Sequence, residues 1–218
     1  MEDTKEEIKE EIKEEIKEEP NINIGSLNSI IEKCEYVKNC VSNKTKELHS
    51  LSYLVDRDLS QSDCIKLGTG IEIVLRDVIT SYSKLQNIRP KNAKGEKEKD
   101  HLFKDETNKI IYYAECKSNL NLDTEKSKST FEKCIKISQQ LKEENPEYEI
   151  KMYLVGARYI TNKDIPKNII KKYELIKENV LGINEYFIML GIRFQFTDEN
   201  EYKMYINTLA NSMFSNSL

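Results

Sequence analysis

The stretch Ile110-Ile-Tyr-Tyr-Ala-Glu-Cys-Lys117 constrains the fold of this chain more than any other. Its β-branched and aromatic side chains suit a pleated strand, whereas a helix would crowd them at χ1. It stands in a polar chain, in which 33% of the 218 residues are charged and 38% apolar. A strand that apolar has to be covered, so the rest of the chain must supply a sheet around it and helices to bury it.

The neighbouring elements follow outward from that strand. Residues 99–104 and 110–117 are the arms of a hairpin around Asp105-Glu-Thr-Asn108. Asp123 and Thr124 cap a helix running to about Glu144, with Phe131, Cys134, Ile135, Ile137 and Leu141 as its apolar positions, and Asn145-Pro146 ends it. Ile150 to Ile160 is a third strand, returned beside the second by that helix. Upstream, Ser29 and Glu32 fit a capping box before a helix with Ile30, Cys34, Val37 and Val41 on one face. Another helical stretch covers about Lys44 to Val55. A buried helix then follows Gly68-Thr-Gly70, carries Ile71 to Ile79 and ends near Tyr82. Downstream, helices are expected at about 164–178 and 182–190. A last one is capped by Asp198 and Glu201, with Tyr202, Tyr205, Ile206, Leu209 and Met213 inward. The fold class is α/β of the mixed α+β kind: a central mixed β-sheet containing the hairpin, flanked by helices.

Residues 5–19 repeat Lys-Glu-Glu-Ile almost perfectly until Pro20, and three isoleucines cannot form a core. Residues 1–20 therefore read as an acidic low-complexity tail, and residues 21–218 as one domain. Within it, 21–95 is a helical N-terminal part, 96–160 the core and 161–218 a helical C-terminal part. The tail hides the charge balance of the domain. The first 19 residues hold ten acids and four lysines, leaving 30 basic against 28 acidic residues, so the overall charge of −4 does not exclude a local positive groove. The five cysteines form no CxxC pair and the two histidines lie far apart, which argues against a zinc site of standard spacing and suits a reducing compartment. No apolar run approaches the ~20 residues needed to span a membrane, and the start of the chain lacks the apolar stretch of a signal peptide. A cytoplasmic protein without membrane attachment is expected.

Glu-x-Lys triplets are cheap in such a chain, occurring at Glu7, Glu11, Glu15, Glu115, Glu149 and Glu201. Glu115 stands apart because it ends the apolar strand and has an acid, Asp100, on the strand before. Residues two apart in a strand share a face, so Glu115 and Lys117 point the same way. A turn centred between Glu106 and Thr107 sets Asp100 opposite Tyr113 and diagonal to Glu115; moving the centre by one residue sets Asp100 directly opposite Glu115. In either register two carboxylates and an ammonium converge. Two half-buried carboxylates repel unless one takes a proton or a cation joins them. Mg²⁺, with Mn²⁺ as a substitute, prefers such oxygens and keeps several waters, which leaves positions for a phosphate oxygen and an attacking water. Asp100 and Glu115 are the candidate metal ligands, the Cys116 carbonyl is a third, and Lys117 is the candidate to orient the nucleophile or stabilise the transition state.

This set resembles the PD-(D/E)xK nuclease superfamily: Lys99-Asp100 stands in place of Pro-Asp, followed by fourteen residues and Glu115-Cys-Lys117. The run Glu-Cys-Lys-Ser-Asn-Leu-Asn-Leu-Asp-Thr-Glu-Lys (115–126) is similar to a stretch in some Type II restriction endonucleases. The resemblance implies a restriction-endonuclease-like core and a Mg²⁺-dependent enzyme that hydrolyses the phosphodiester bonds of double-stranded DNA as a homodimer at a short specific sequence. It also implies an extra metal-associated acid on an early helix, a role Glu72 could fill. Ser118, Asn119, Asn121, Lys126, Lys128 and Arg158 are the candidate DNA contacts. The same core would serve a junction-resolvase-like or repair nuclease. A non-catalytic DNA-binding or interaction protein is the reading outside enzymology.

Overall fold

Five strands form one mixed sheet in the order β1-β2-β3-β4-β5, with β3 (Ile110–Lys117) at its centre. A computed structural model of the protein describes residues 22–35, 50–90 and 99–214. β1 (Gln86–Asn87) and β2 (His101–Asp105) precede β3 and run antiparallel to their neighbours. After β3, helix α3 (Thr124–Glu144) returns the chain so that β4 (Glu149–Gly156) lies parallel to β3 over eight paired residues, and β5 (Val180–Leu181) adds a parallel edge. Among the described residues the other α-helices are α1 (Ile24–Lys33), α2 (Gln61–Tyr82), α4 (Lys167–Ile170), α5 (Ile183–Met189) and α6 (Glu199–Phe214). Among the described residues no helix is long and apolar enough to cross a membrane.

The alternation along β3 divides the molecule into two layers. Tyr112 and Ala114, with Phe103 of β2 and Tyr153 and Val155 of β4, face a core built from α1, α2, α5 and α6. Ile111 and Tyr113, with Leu102 and Leu154, face a second core built from α3, α4 and the 3₁₀ segment Lys171–Asn179. Both faces of β3 are thus covered, as its apolar sequence requires.

Several boundaries differ from expectation. α1 starts at Asn23, whose side chain accepts the Ser26 N–H at 3.0 Å, six residues before the Ser29 box. Val37, Val41 and residues 44–49 lie outside the described residues, and Ser50–Leu54 is a 3₁₀ turn. α2 begins at Ser60, which accepts the Asp63 N–H and donates to the Asp63 carboxylate at 2.8 Å, so Gly68 and Gly70 lie inside the helix. Gly70 packs closely on α6: a Cβ would meet Met213 Sδ at 2.6 Å and the Met213 side chain would have to shift. The third strand ends at Gly156, where the Tyr159 N–H turns back to the Gly156 carbonyl. The helix expected at 164–178 is the single turn α4 followed by 3₁₀ backbone, because Tyr173 and Ile176 leave helical angles and both are buried.

Capping follows the sequence where the residues are explicit. Asp123 accepts the Lys126 N–H at 2.8 Å, and Asp198 accepts the Glu201 N–H at 2.9 Å while Glu201 reaches back to the Thr197 N–H. Tyr202, Tyr205, Ile206, Leu209 and Met213 are all buried.

Candidate active site

The hairpin turn decides which side chains meet. Asp105 accepts hydrogen bonds from the Asn108 N–H and amide, and Lys109 takes a left-handed conformation with φ 55°. The resulting register pairs His101 with Ala114 and Leu102 with Tyr113. Continued by one residue, it sets Asp100 opposite Glu115, the second of the two registers the sequence allows. Asp100 Oδ2 accepts the Cys116 N–H at 2.8 Å, which ties the acid to the end of β3.

Glu115 is 1% exposed and Asp100 7%, unusual burial for two facing carboxylates. Glu115 is heavily compensated. Lys117 Nζ lies 2.5 Å from Oε1, Lys133 Nζ lies 2.6 Å from Oε2, and the Tyr113 hydroxyl donates to Oε2 at 3.1 Å. Burial works against the Glu115 charge, but Lys117 and then Lys133 outweigh it and hold the carboxyl below its usual range. Asp100 receives the complementary treatment. Burial, and then the charge of Glu115, push it up to about 6 against the pull of Lys117, Lys133 and the Cys116 N–H. Burial also opposes the charge of Lys117, but Glu115 and then Asp100 raise its affinity for the proton, so it stays an ammonium.

Lys133 is the member that reading the sequence missed. It sits one turn beyond Thr130 and next to Cys134 on the inward stripe Ser127, Thr130, Cys134, Ile137 and Leu141 of α3. That i, i+3 spacing is the signal that could have found it, but a lysine in so charged a helix reads as solvated.

Glu72 lies on α2, which covers the sheet face opposite Glu115. Its carboxylate faces Arg76 at 3.4 Å, and the same guanidinium nitrogen lies 3.4 Å from the Asp100 carbonyl. The Glu72 carbonyl is 2.8 Å from His101 Nε2. A carbonyl only accepts, so Nε2 carries the proton and Nδ1 accepts from the Tyr186 hydroxyl at 2.9 Å. Burial lowers His101 to about 3, so it stays neutral and anchors the start of β2 next to Asp100. The Cys116 thiol points to this same side, 3.6 Å from His101 Nδ1.

The candidate DNA contacts are dispersed. Asn121 and Arg158 line one cleft of about 610 Å³ beside the C-terminal ends of β3 and β4. Arg158 stacks over Tyr53 at 5.0 Å, and Asn121 accepts from Lys172 at 3.0 Å. Asn119 accepts the Asn121 N–H, and Ser118 approaches the Gly68 position of α2. Lys126 and Lys128 are about three-quarters exposed and pair along their own helix with Asp123 and Glu132.

Among the described residues no three His, Cys, Asp or Glu side chains gather as a metal-binding group. The donor chemistry nevertheless suits a hard cation. Two carboxylates face each other beside the Cys116 peptide, and both nearby ammoniums contact Glu115, which leaves Asp100 short of positive charge. Mg²⁺ takes one or two carboxylates and fills its remaining positions with water and phosphate oxygens. Comparison with known protein families, with curated proteins and with solved structures finds no match.

Proposed function

We propose that the protein is a Mg²⁺-dependent nuclease with a restriction-endonuclease-like core that hydrolyses phosphodiester bonds of double-stranded DNA at a short specific sequence. The observation that carries this reading is the buried pair Asp100–Glu115, opposed where β2 and β3 meet, with the half-buried Lys117 beside Glu115. The order of elements adds support: a hairpin, a crossover helix and a parallel strand follow one another around that pair, as the resemblance implies.

Asp100, Glu115 and the Cys116 carbonyl would hold the cation. Bound there, Mg²⁺ (or Mn²⁺) would acidify a water and neutralise charge growing on the phosphate. Lys117 keeps its proton and supplies a positive charge beside Glu115, suited to orienting the nucleophile or stabilising the phosphorane-like oxygens. Arg76 and His101 fix the backbone of Asp100 and the start of β2 from the opposite face, and Arg76 links Glu72 to that support. Cutting both strands of a duplex calls for two such sites, which a homodimer provides.

Incubation of plasmid DNA with purified protein and MgCl₂ tests the reading. Wild type should give discrete fragments, and Asp100→Asn and Lys117→Ala should each lose about 10²-fold or more in rate while remaining folded. Cutting confined to branched DNA would move the function to a structure-specific nuclease. A second reading, a purely structural ion-pair cluster, is favoured by the full set of partners on Glu115. It predicts that both variants leave every DNA-directed activity unchanged and change stability alone.

A further inference from the structure

Glu115 Oε2 is occupied by Lys133 Nζ at 2.6 Å and Oε1 by Lys117 Nζ at 2.5 Å. The two lysines reach the carboxylate differently. Lys117 lies two residues along β3, so the strand pleat itself holds it beside Glu115. Lys133 arrives from a different element, α3, on a flexible stem, and its side chain is one-fifth exposed against about one-third for Lys117. Tyr113 also donates to Oε2, so the carboxylate stays oriented when Lys133 withdraws. With Asp100 and Glu115 ionised, the two lysines balance them, and a divalent cation would bring two further positive charges into a neutral cluster.

We propose that Lys133 is a resident counter-ion that a divalent cation must displace from Glu115, so that this lysine sets the metal concentration at which the site fills. The inference rests on the metal site of the nuclease reading and adds its control. A site balanced by its own lysine resists metal until the concentration is high enough. The displaced ammonium stays tethered at the same edge, where it adds to the positive charge that meets a phosphodiester.

Calorimetric titration of the metal-free, full-length protein with Mn²⁺, in the absence of DNA, tests this directly. Lys133→Met should bind Mn²⁺ about tenfold tighter or more than wild type, the scale set by removing a unit charge a few ångströms from a charged site. Lys133→Gln should tighten binding in the same direction, Lys133→Arg should keep the wild-type affinity, and Asp100→Asn should abolish the binding. Thermal unfolding of each variant establishes that it is folded. If wild type binds Mn²⁺ in an Asp100-dependent way but the neutral Lys133 variants bind no tighter, the counter-ion inference is overturned and the metal site stands. If no protein binds Mn²⁺ in an Asp100-dependent way, the metal site itself fails and the inference falls with it.

Discussion

Asp100 and Glu115 carry their charges in opposite ways, and the difference has measurable consequences. Glu115 is paired twice and stays ionised, whereas burial and its neighbour lift Asp100 to about 6. A carboxyl whose folded pKa lies above its unfolded value of about 3.9 holds its proton more tightly in the folded state. Its contribution to stability is present below that unfolded value and is lost as pH rises to about 6. Above that point the ionised group opposes folding. Asp100→Asn, which keeps an acceptor for the Cys116 N–H, should therefore be more stable than wild type near neutral pH, with the gain vanishing towards pH ~4. Thermal unfolding of both proteins across that range measures it, and a pH-independent difference would contradict the assignment. In the nuclease reading a protonated Asp100 is a poor ligand, so cleavage at sub-saturating Mg²⁺ should fall as pH drops and protons compete with the cation, which a pH–rate profile records. At this scale the sequence exposed three of the four clustered side chains. Asp100, Glu115 and Lys117 follow from strand alternation, while Lys133 needs the helix phase and the distance between α3 and β3.

Elements bring these residues together, and one glycine shows how tightly. Gly156 of β4 pairs with Lys117 of β3, and a Cβ there would meet Leu120 Cδ1 at 2.7 Å and Tyr159 Cδ2 at 2.8 Å. Gly156→Ala must therefore displace the Leu120 and Tyr159 side chains that pack on β4. It should lose about 1–3 kcal/mol of stability and lower cleavage, checked by denaturant unfolding and the plasmid assay. At the other end of that loop, Asp123→Ala removes the α3 cap and should cost about 1 kcal/mol. Long periodic elements were legible: β3, α3, the parallel return to β4 and the inward stripe of α6 all follow from spacing. The hairpin register was open to two solutions, because the turn is chosen by Asp105–Asn108 hydrogen bonds and by Lys109 backbone geometry rather than by apolar pattern. Gly68 and Gly70 read as preceding the helix, yet both lie within α2, where Gly70 packs closely against the Met213 side chain of α6. Packing overrode propensity at that point.

For the whole molecule, the mixed five-stranded sheet with a helical layer on each face sets where a duplex could approach. The carboxylates lie beside the C-terminal end of β3, and the cleft holding Asn121 and Arg158 opens beside the same strand ends. Lys126 and Lys128 stand exposed at the start of α3 nearby. If they meet phosphates, replacing both with alanine should weaken binding to all sequences alike and reduce the salt dependence by about one unit of slope per lysine. Filter binding across a salt series measures that. The most direct test of the central claim is anomalous diffraction from crystals equilibrated with Mn²⁺. A single strong peak within coordinating distance of both Asp100 and Glu115, with Lys133 moved off Oε2, is the predicted result. Crystals saturated with Mn²⁺ that show no peak there, with Lys117 and Lys133 still closed on Glu115, would contradict it.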